Sequence, residues 1–410
     1  MTLSIASSAK PSRRSLQGLD GLVFFMATML TGFGPFVAVY LTSQRWTQLD
    51  IGVVLTLAGL VSLAAQVPGG ALVDAARSER LVAGLAIAAI GVSALALGLW
   101  PTYPAVQAVA VVQAAAASVI GPATAAISLG LVGHDGIGER LGRNARFASL
   151  GTGLGAAVMG ASGHLLGERA VFFVSAGFAL PAVLALTVIG EREIDPERAH
   201  GGIEDDAAQP QAHRAASLAS VVRRRALVMF AGCVLLFQLA NAGMLPLMGG
   251  LLTMRSSRWA TILIAACMIV PQLVVAAVSP WIGRSAQRFG RRPLLLAGFA
   301  VVPIRAVLFS VVSDPFLLVA VQLLDGIAAA AFTVLAPFII ADITRGTGRF
   351  NLALGIIGAA TGIGASLSTA VAGYASDHYG SSVAFLVMAA IATAGLAAVW
   401  TLMPETGRRL

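Results

Sequence analysis

The sequence predicts an all-α polytopic membrane protein with twelve transmembrane helices. Hydrophobic residues make up 57% of its 410 residues, and charged residues make up 11%. A soluble globular protein carries charge on about a quarter of its residues. Most of the surface therefore faces something other than water, and the obvious candidate is lipid.

The predicted spans follow from the length of the apolar stretches, because a helix needs roughly 20 apolar residues to cross a bilayer. Stretches of that length with at most one charged residue fill the chain, and the Pro-containing turn at residues 100–104 divides the longest into two. The twelve spans lie in residues 21–44, 51–73, 81–133 (two spans), 147–167, 170–190, 226–254, 259–283, 293–313, 315–341, 350–376 and 379–403.

The basic residues predict the orientation of these spans. Lys and Arg number 27, of which 22 fall in segments on one side and four on the other. Positively charged short loops stay on the cytoplasmic side during insertion. We therefore expect both termini in the cytoplasm and the protein in a bacterial inner membrane. The net charge of +8 then reflects topology and predicts no nucleic-acid partner.

One long hydrophilic stretch, residues 191–225, separates the sixth span from the seventh. It predicts a cytoplasmic linker between two six-helix bundles. The first bundle is expected over residues 19–190 and the second over 226–404, with cytoplasmic tails over 1–18 and 405–410.

The two halves resemble each other at a nearly fixed offset, which indicates a parallel repeat. Arg45-Trp46 before the second span recurs as Arg258-Trp259 before the eighth, 213 residues later. The sequence Thr-Gly-Leu-Gly-Ala at 152–156 recurs as Thr-Gly-Ile-Gly-Ala at 361–365, 209 residues later. Matches in the same order with similar offsets predict two bundles of the same construction.

The loop after the eighth span carries a recognisable motif. Residues 283–292 read Gly-Arg-Ser-Ala-Gln-Arg-Phe-Gly-Arg-Arg, and residues 70–74 after the second span read Gly-Ala-Leu-Val-Asp. The loop at 283–292 resembles the major facilitator superfamily signature Gly-x-x-x-Asp-Arg-x-Gly-Arg-Arg, with Gln287 at the usual Asp position. The loop after the second span keeps Asp74 and loses the basic residues. The resemblance implies two bundles that alternately open a central site to each side, and a transporter instead of an enzyme.

These two loops predict a conformational latch. Glycines permit a tight turn, and an Asp stabilises the N-terminus of another helix. In the alternative interpretation, the arginines only fix topology and bind lipid phosphates. The candidate latch residues are Gly70, Asp74, Gly283, Arg288, Gly290 and Arg291.

Two charges inside the later spans are the sharpest functional signal. Asp325 and Arg305 lie near mid-depth of the tenth and ninth spans, where a charge costs about 2.5 to 3.5 kcal/mol on insertion scales. We expect Asp325 to bind the coupling proton and Arg305 to set its affinity, whereas the alternative is a static buried ion pair. Asp20 is a third candidate for proton coupling, although its position at the start of the first helix, or at the membrane boundary, is the favoured explanation.

Uncharged polar and aromatic side chains predict the substrate site. The family resemblance places the first, fourth, seventh and tenth helices around a central cavity. The candidates that would line it are Gln113, Gln238, Asn241, Gln322, Phe25, Phe33, Phe36, Phe237 and Phe332. The amides would alternatively form hydrogen bonds between helices.

Other classes of function lack their motifs in this sequence. It contains a single Lys and no Gly-x-x-x-x-Gly-Lys-Ser/Thr loop, and its five His residues are scattered. We therefore predict no cofactor, no metal site and no enzyme activity. The expected function is proton-coupled export of a small organic molecule by a monomer in the lipid bilayer. The alternative is uptake of a neutral metabolite or chelate, and more remote ones are a membrane sensor or a membrane-embedded enzyme.

Overall fold

The computed structural model describes residues 11–200, 224–248 and 260–406, apart from residues 34 and 47. Over those residues the chain is helical and contains no strand. The helices of the first half are α1 Arg13–Thr31, α2 Pro35–Ser43, α3 Gln48–Ala75, α4 Glu79–Leu99, α5 Tyr103–Leu166 and α6 Ala170–Val188.

A short connecting segment and six longer helices come next in the chain. The segment contains one 3-10 turn, Glu191–Glu193, and the four-residue helix α7 Pro196–Ala199. The helices of the second half are α8 Arg225–Asn241, α9 Ala260–Phe289, α10 Arg292–Val311, α11 Pro315–Thr344, α12 Phe350–Tyr379 and α13 Ser381–Leu402.

Ten helices in the described part of the chain are long and apolar enough to cross a membrane. One of them, α5, accounts for two predicted spans, because its 64 residues bend at Gly133, where the backbone φ is 64°. The charged stretch 134–146, predicted as a loop before the fifth span, is helical. In this stretch Arg140 and Arg143 pair with an acid on α1. The ion pairs offset the cost of placing the two charges in a membrane helix, which a hydropathy prediction counts in full.

The first helix also differs from its predicted bounds. α1 begins at Arg13, where the Ser12 side chain accepts a hydrogen bond from Ser15 N (3.1 Å). Asp20 consequently lies about two turns inside α1. The expectation that Asp20 opens the helix is therefore wrong.

Part of the predicted linker is folded against the first bundle. Ser12 N donates to Glu193 Oε2 (2.8 Å), and Gly190 N donates to Ser15 Oγ (2.9 Å). The rest of the linker, 201–223, lies outside the described residues. So do 1–10 and 407–410 of the predicted tails and the Arg258-Trp259 copy of the repeat.

The two bundles meet along two seams. One is formed by α3 and α12, and the other by α5 and α9. We call the end of the bundles at which α1 begins and α7 lies the linker end. At this end Gly70 packs so closely on Asn351 that a side chain would overlap its carbonyl, and Gly283 packs in the same way on Gly138.

Candidate functional site

A cavity of about 440 Å³ lies between the two halves. It is lined by α1, α3 and α5 of the first bundle and by α11 and α12 of the second. Most of its lining is apolar, as at Val23, Met26, Leu30 and Ile120. Its polar lining residues are Gln66, Thr124, Asn144 and Thr333.

Sequence reasoning missed all four polar lining residues. Gln66 is an uncharged amide inside a predicted span, so the reasoning applied to Gln113 would have found it. Asn144 was assigned to a loop, because the arginines on either side of it excluded that stretch from a span. Thr124 and Thr333 gave no signal, since single threonines are common in membrane helices.

A group that we call the first-half cluster lies beside this cavity and comprises Asp20, Arg140, Arg143 and Asn144. Asp20 Oδ1 accepts from Arg140 Nη2 (2.5 Å), and Asp20 Oδ2 accepts from Arg143 Nη2 (2.6 Å). Arg140 Nε also donates to Asn144 Oδ1 (2.8 Å). Asp20 and Arg140 are buried, whereas the Arg143 side chain is 49% exposed. One buried carboxylate is therefore held by two guanidinium groups.

Helix periodicity connects this cluster to the cavity. Asp20 precedes the lining residues Val23 and Ala27 by three and seven positions, and Arg140 precedes Asn144 by four. Such positions share one face of a helix. Because α1 begins at the linker end, Asp20 lies on the linker-end side of the cavity, with Asn144 between its arginine partner and the cavity.

A second-half cluster comprises Asn241, Arg305 and Asp325. Arg305 Nη1 forms an ion pair with Asp325 Oδ1, and Arg305 Nη2 donates to Asn241 Oδ1 (2.9 Å). The Arg305 side chain is buried, and the Asp325 side chain is 22% exposed. The structure thus brings Asn241, Arg305 and Asp325 together where α8, α10 and α11 meet. None of the three lines the central cavity.

The remaining predicted amides do not join either cluster. Gln322 is buried and donates to the carbonyl of Cys267 on α9 (3.5 Å), although it was expected to line the central cavity. Gln238 lies beside Gly364 of α12, and Gln113 lines a separate cavity of about 40 Å³ inside the first bundle. The expected single site formed by these amides is therefore not present.

The predicted aromatic walls are mostly packing contacts within each bundle. Phe237 stacks on Phe332 with ring centroids 5.1 Å apart, and Phe25 stacks on Phe178 at 6.4 Å. Phe33 lines the small cavity with Gln113, and Phe36 is half-buried. None of the five predicted phenylalanines lines the central cavity, whose apolar lining residues are aliphatic.

At the linker end, the seam between α3 and α12 is bridged by a carboxylate. Asp74 Oδ1 accepts from Asn351 N (3.1 Å) and Asn351 Nδ2 (2.8 Å), and Asp74 Oδ2 accepts from Leu352 N (2.8 Å). These amides lie at the start of α12, where the first N–H groups of a helix lack partners within the helix. The carboxylate of one bundle therefore caps a helix of the other.

The seam between α5 and α9 uses neutral and basic groups instead. Gln287, at the position that corresponds to Asp74, donates to the carbonyl of Asp135. Arg146 Nε donates to the carbonyl of Ala276 (2.9 Å). Pro280 has no N–H to bond that carbonyl within α9, so the acceptor is free for Arg146.

The basic motif residues act mainly within the second bundle. Arg291 pairs with Asp342 (Nε to Oδ2, 2.9 Å) and lies over the Phe338 ring, with its guanidinium carbon 4.1 Å from the centroid. Gly290 adopts a φ of 90°, which favours glycine, and Arg288 is exposed. In this conformation these contacts fix the ends of α10 and α11 and do not cross a seam.

Two kinds of sequence comparison give the same family. The family model of the Major Facilitator Superfamily matches residues 19–274 and 240–410. An uncharacterized MFS-type transporter of Mycobacterium tuberculosis is 38% identical over 395 residues, which are 96% of this chain and 94% of that protein. The class B tetracycline resistance protein of Escherichia coli is 32% identical over 105 residues, 26% of each chain.

Solved structures share the fold at low sequence identity. FucP in the outward conformation has a TM-score of 0.74 at 13% identity, covering 95% of this chain and 99% of FucP. A human organic anion transporter has a TM-score of 0.73 at 15% identity, covering 95% of this chain and all of that chain.

Proposed function

The chain belongs to the major facilitator superfamily, and we propose that it is a proton-coupled exporter of a small amphipathic organic molecule. Members of this family are multi-pass membrane proteins that transport small substrates and are not enzymes. The observation that carries the proposal is the aliphatic cavity between the halves with the buried Asp20 carboxylate on its linker-end side.

Asp20 is the proposed coupling group because its charge holds two arginine side chains in place. While ionised, it attracts Arg140 and Arg143 and fixes α1 against α5. A proton on Asp20 removes that attraction and leaves Arg143, which is half-exposed, free to turn away. Protonation is thereby linked to the packing of the two helices that supply most of the cavity wall.

Two observations favour export over uptake. The cavity wall is largely aliphatic, which suits the apolar part of an amphipathic compound. The likeness to a tetracycline resistance protein, although confined to a quarter of the chain, points to the same class of substrate. The four polar lining residues favour the second candidate, uptake of a neutral metabolite, because they offer hydrogen bonds without charge.

Alternating access requires the linker end to open and close. We propose that Asp74 is the latch that holds the linker end shut. We also propose that the linker end faces the cytoplasm and that the protein works as a monomer in the inner membrane. The capping of α12 by Asp74 and the excess of Arg at this end support the assignment.

The test is Asp20→Asn in proteoliposomes that carry a pH gradient and a fluorescent amphipathic dye. We expect the variant to lose dye accumulation driven by the gradient while it keeps dye exchange at equal pH. Asp314→Asn is the matched control, because Asp314 lies at the opposite end and its capping of Phe316 N and Leu317 N needs only an oxygen acceptor.

Full gradient-driven accumulation in Asp20→Asn would overturn the role of Asp20. Growth tests with and without the protein separate the two directions. Resistance to several unrelated amphipathic inhibitors supports export, whereas rescue of a single auxotrophy supports uptake.

A further inference from the structure

The segment around α7 is anchored to the first bundle. Asp195 N donates to the carbonyl of Gly130 on α5 (3.1 Å), and Asp195 Oδ1 accepts from Glu197 N (2.9 Å) and Arg198 N (3.2 Å). Ala199 is fully buried. This segment therefore belongs to the first bundle, although it lies in the predicted linker.

The same segment also bonds to the second bundle. Phe350 N donates to the carbonyl of His200 (3.3 Å), and Asn351 Nδ2 donates to the carbonyl of Ala199 (3.4 Å). Asn351 is the residue that donates to Asp74. The end of α7 and the Asp74 carboxylate thus bind the start of α12 side by side.

The ring of His200 lies against a buried acid. His200 Nε2 is 3.2 Å from Glu79 Oε1, and the two side chains are 19% and 5% exposed. Besides this ion-pair contact, Glu79 Oε1 makes no hydrogen bond within the described part of the chain. A buried carboxylate is costly unless it is paired, so the stability of the buried Glu79 carboxylate depends on the charge of His200.

The charged groups around His200 come from four elements. Glu79 of α4 and Asp74 of α3 face it with negative charge. On its own element, Arg198 pairs with Asp195 (3.4 Å), and Arg349 stands at the start of α12. Two acids therefore lie close to one histidine, and one of them, Asp74, also bonds to the second bundle across the seam.

We infer that Glu79 and His200 form a proton-binding site at the linker end and that a proton held there stabilises the closed seam. Protonated His200 neutralises the Glu79 carboxylate and offsets its repulsion of Asp74. With neutral His200, two carboxylates remain in a poorly hydrated region, and opening the seam returns water to Asp74. This inference rests on the proposed function only in that the seam opens during transport.

The direction of the pH effect depends on the environment of His200. The contact with Glu79 raises the pKa of His200 above its ordinary value of 6.5, and this outweighs the lowering by burial. A state that raises a pKa is stabilised by the proton. The stabilisation of the closed seam is therefore present while His200 is protonated and is lost as the pH rises through the raised pKa of His200.

The test measures the distance between the bundles directly. Spin labels are placed at Arg77→Cys, between α3 and α4, and at Arg284→Cys on α9, both exposed positions, in a full-length Cys233→Ser, Cys267→Ser background. Electron–electron distance measurements in lipid nanodiscs between pH 5.5 and 8.5 then give the open-to-closed ratio. Each unit of difference between the pKa values of His200 in the two states changes that ratio tenfold.

We expect the long-distance population to grow as the pH rises. His200→Gln should remove this dependence, and Glu79→Gln should shift its midpoint to lower pH, because His200 loses the contact that raises its pKa. His378→Gln is the matched control, since His378 is an exposed histidine at the opposite end, and it should leave the dependence unchanged.

A wild-type distance distribution that does not change with pH overturns the inference, and so does an unchanged pH dependence in His200→Gln. An unshifted midpoint in Glu79→Gln overturns the pairing with Glu79. The measurement needs neither substrate nor gradient. The result of this measurement is therefore independent of the Asp20 experiment, which tests transport.

Discussion

Each bundle pairs an aspartate with a buried arginine, but the two clusters differ in charge and position. In the first-half cluster two arginines hold Asp20, and one of them bonds to Asn144, a cavity residue. In the second-half cluster a single arginine holds Asp325, away from the cavity.

The difference indicates a division of roles between the halves. Asp20 can give up one arginine and keep the other, and the cavity lies next to its partners. Asp325 has a single partner of opposite charge in its cluster, so separating them would leave two unpaired charges in the membrane, which is costly. We therefore interpret the first-half cluster as the switching one and the second-half cluster as a static pair that fixes helix packing.

The largest expected effect is on stability, from Arg305→Met. This variant leaves Asp325 without its cation and should lower the free energy of unfolding by about 3–5 kcal/mol. Arg143→Met should cost about 1 kcal/mol or less, because Arg143 is half-exposed and Arg140 still neutralises Asp20. Unfolding by denaturing detergent, followed by tryptophan fluorescence, measures both.

Replacing both members of the second-half pair is the control for this variant. Arg305→Met together with Asp325→Leu removes both charges and should restore stability to near the wild-type value. Gradient-driven transport should be retained. A stable double variant without such transport would show that Asp325, and not Asp20 alone, carries the coupling proton.

A smaller effect is expected from the asparagine of each cluster. Asn144→Ala and Asn241→Ala each remove an acceptor from a buried arginine, which costs about 1.5–3 kcal/mol. Only Asn144 lines the cavity, so only Asn144→Ala should raise the KM for dye exchange. Equal changes in KM for both variants would contradict the division between the clusters.

The smallest effect concerns the seams, where the halves also differ. Asp74→Asn removes the charge that caps α12 and should destabilise the closed seam by about 0.5–1 kcal/mol. That corresponds to a roughly twofold to fivefold increase in the open-to-closed ratio, measured with the spin labels at positions 77 and 284. Gln287→Ala, at the corresponding neutral position, should change the open-to-closed ratio less than Asp74→Asn does. A larger change in Gln287→Ala would contradict the view that the Asp74 seam is the stronger of the two.

Hydropathy predicted the helices well where a span is apolar throughout, as in α4 and α6. It failed at α5, where residues 134–146 continue the helix although several of them are charged. The partner that stabilises Arg140 lies 120 residues away, so no local window reveals that the charge is compensated. The candidate site shows the same limit, because Asn144 is an unremarkable amide until α1 and α5 pack together.

The sequence by itself determined that the chain spans a membrane many times, that its halves repeat, and that its loops carry a family motif. Those properties are sums over neighbouring residues: apolar length, charge bias and spacing. Only the tertiary structure decided which polar groups meet, because a helix offers several faces and packing selects the one that contacts a partner. It turned Gln322 toward α9, joined Arg305 to Asp325, and placed Asp20 beside the cavity.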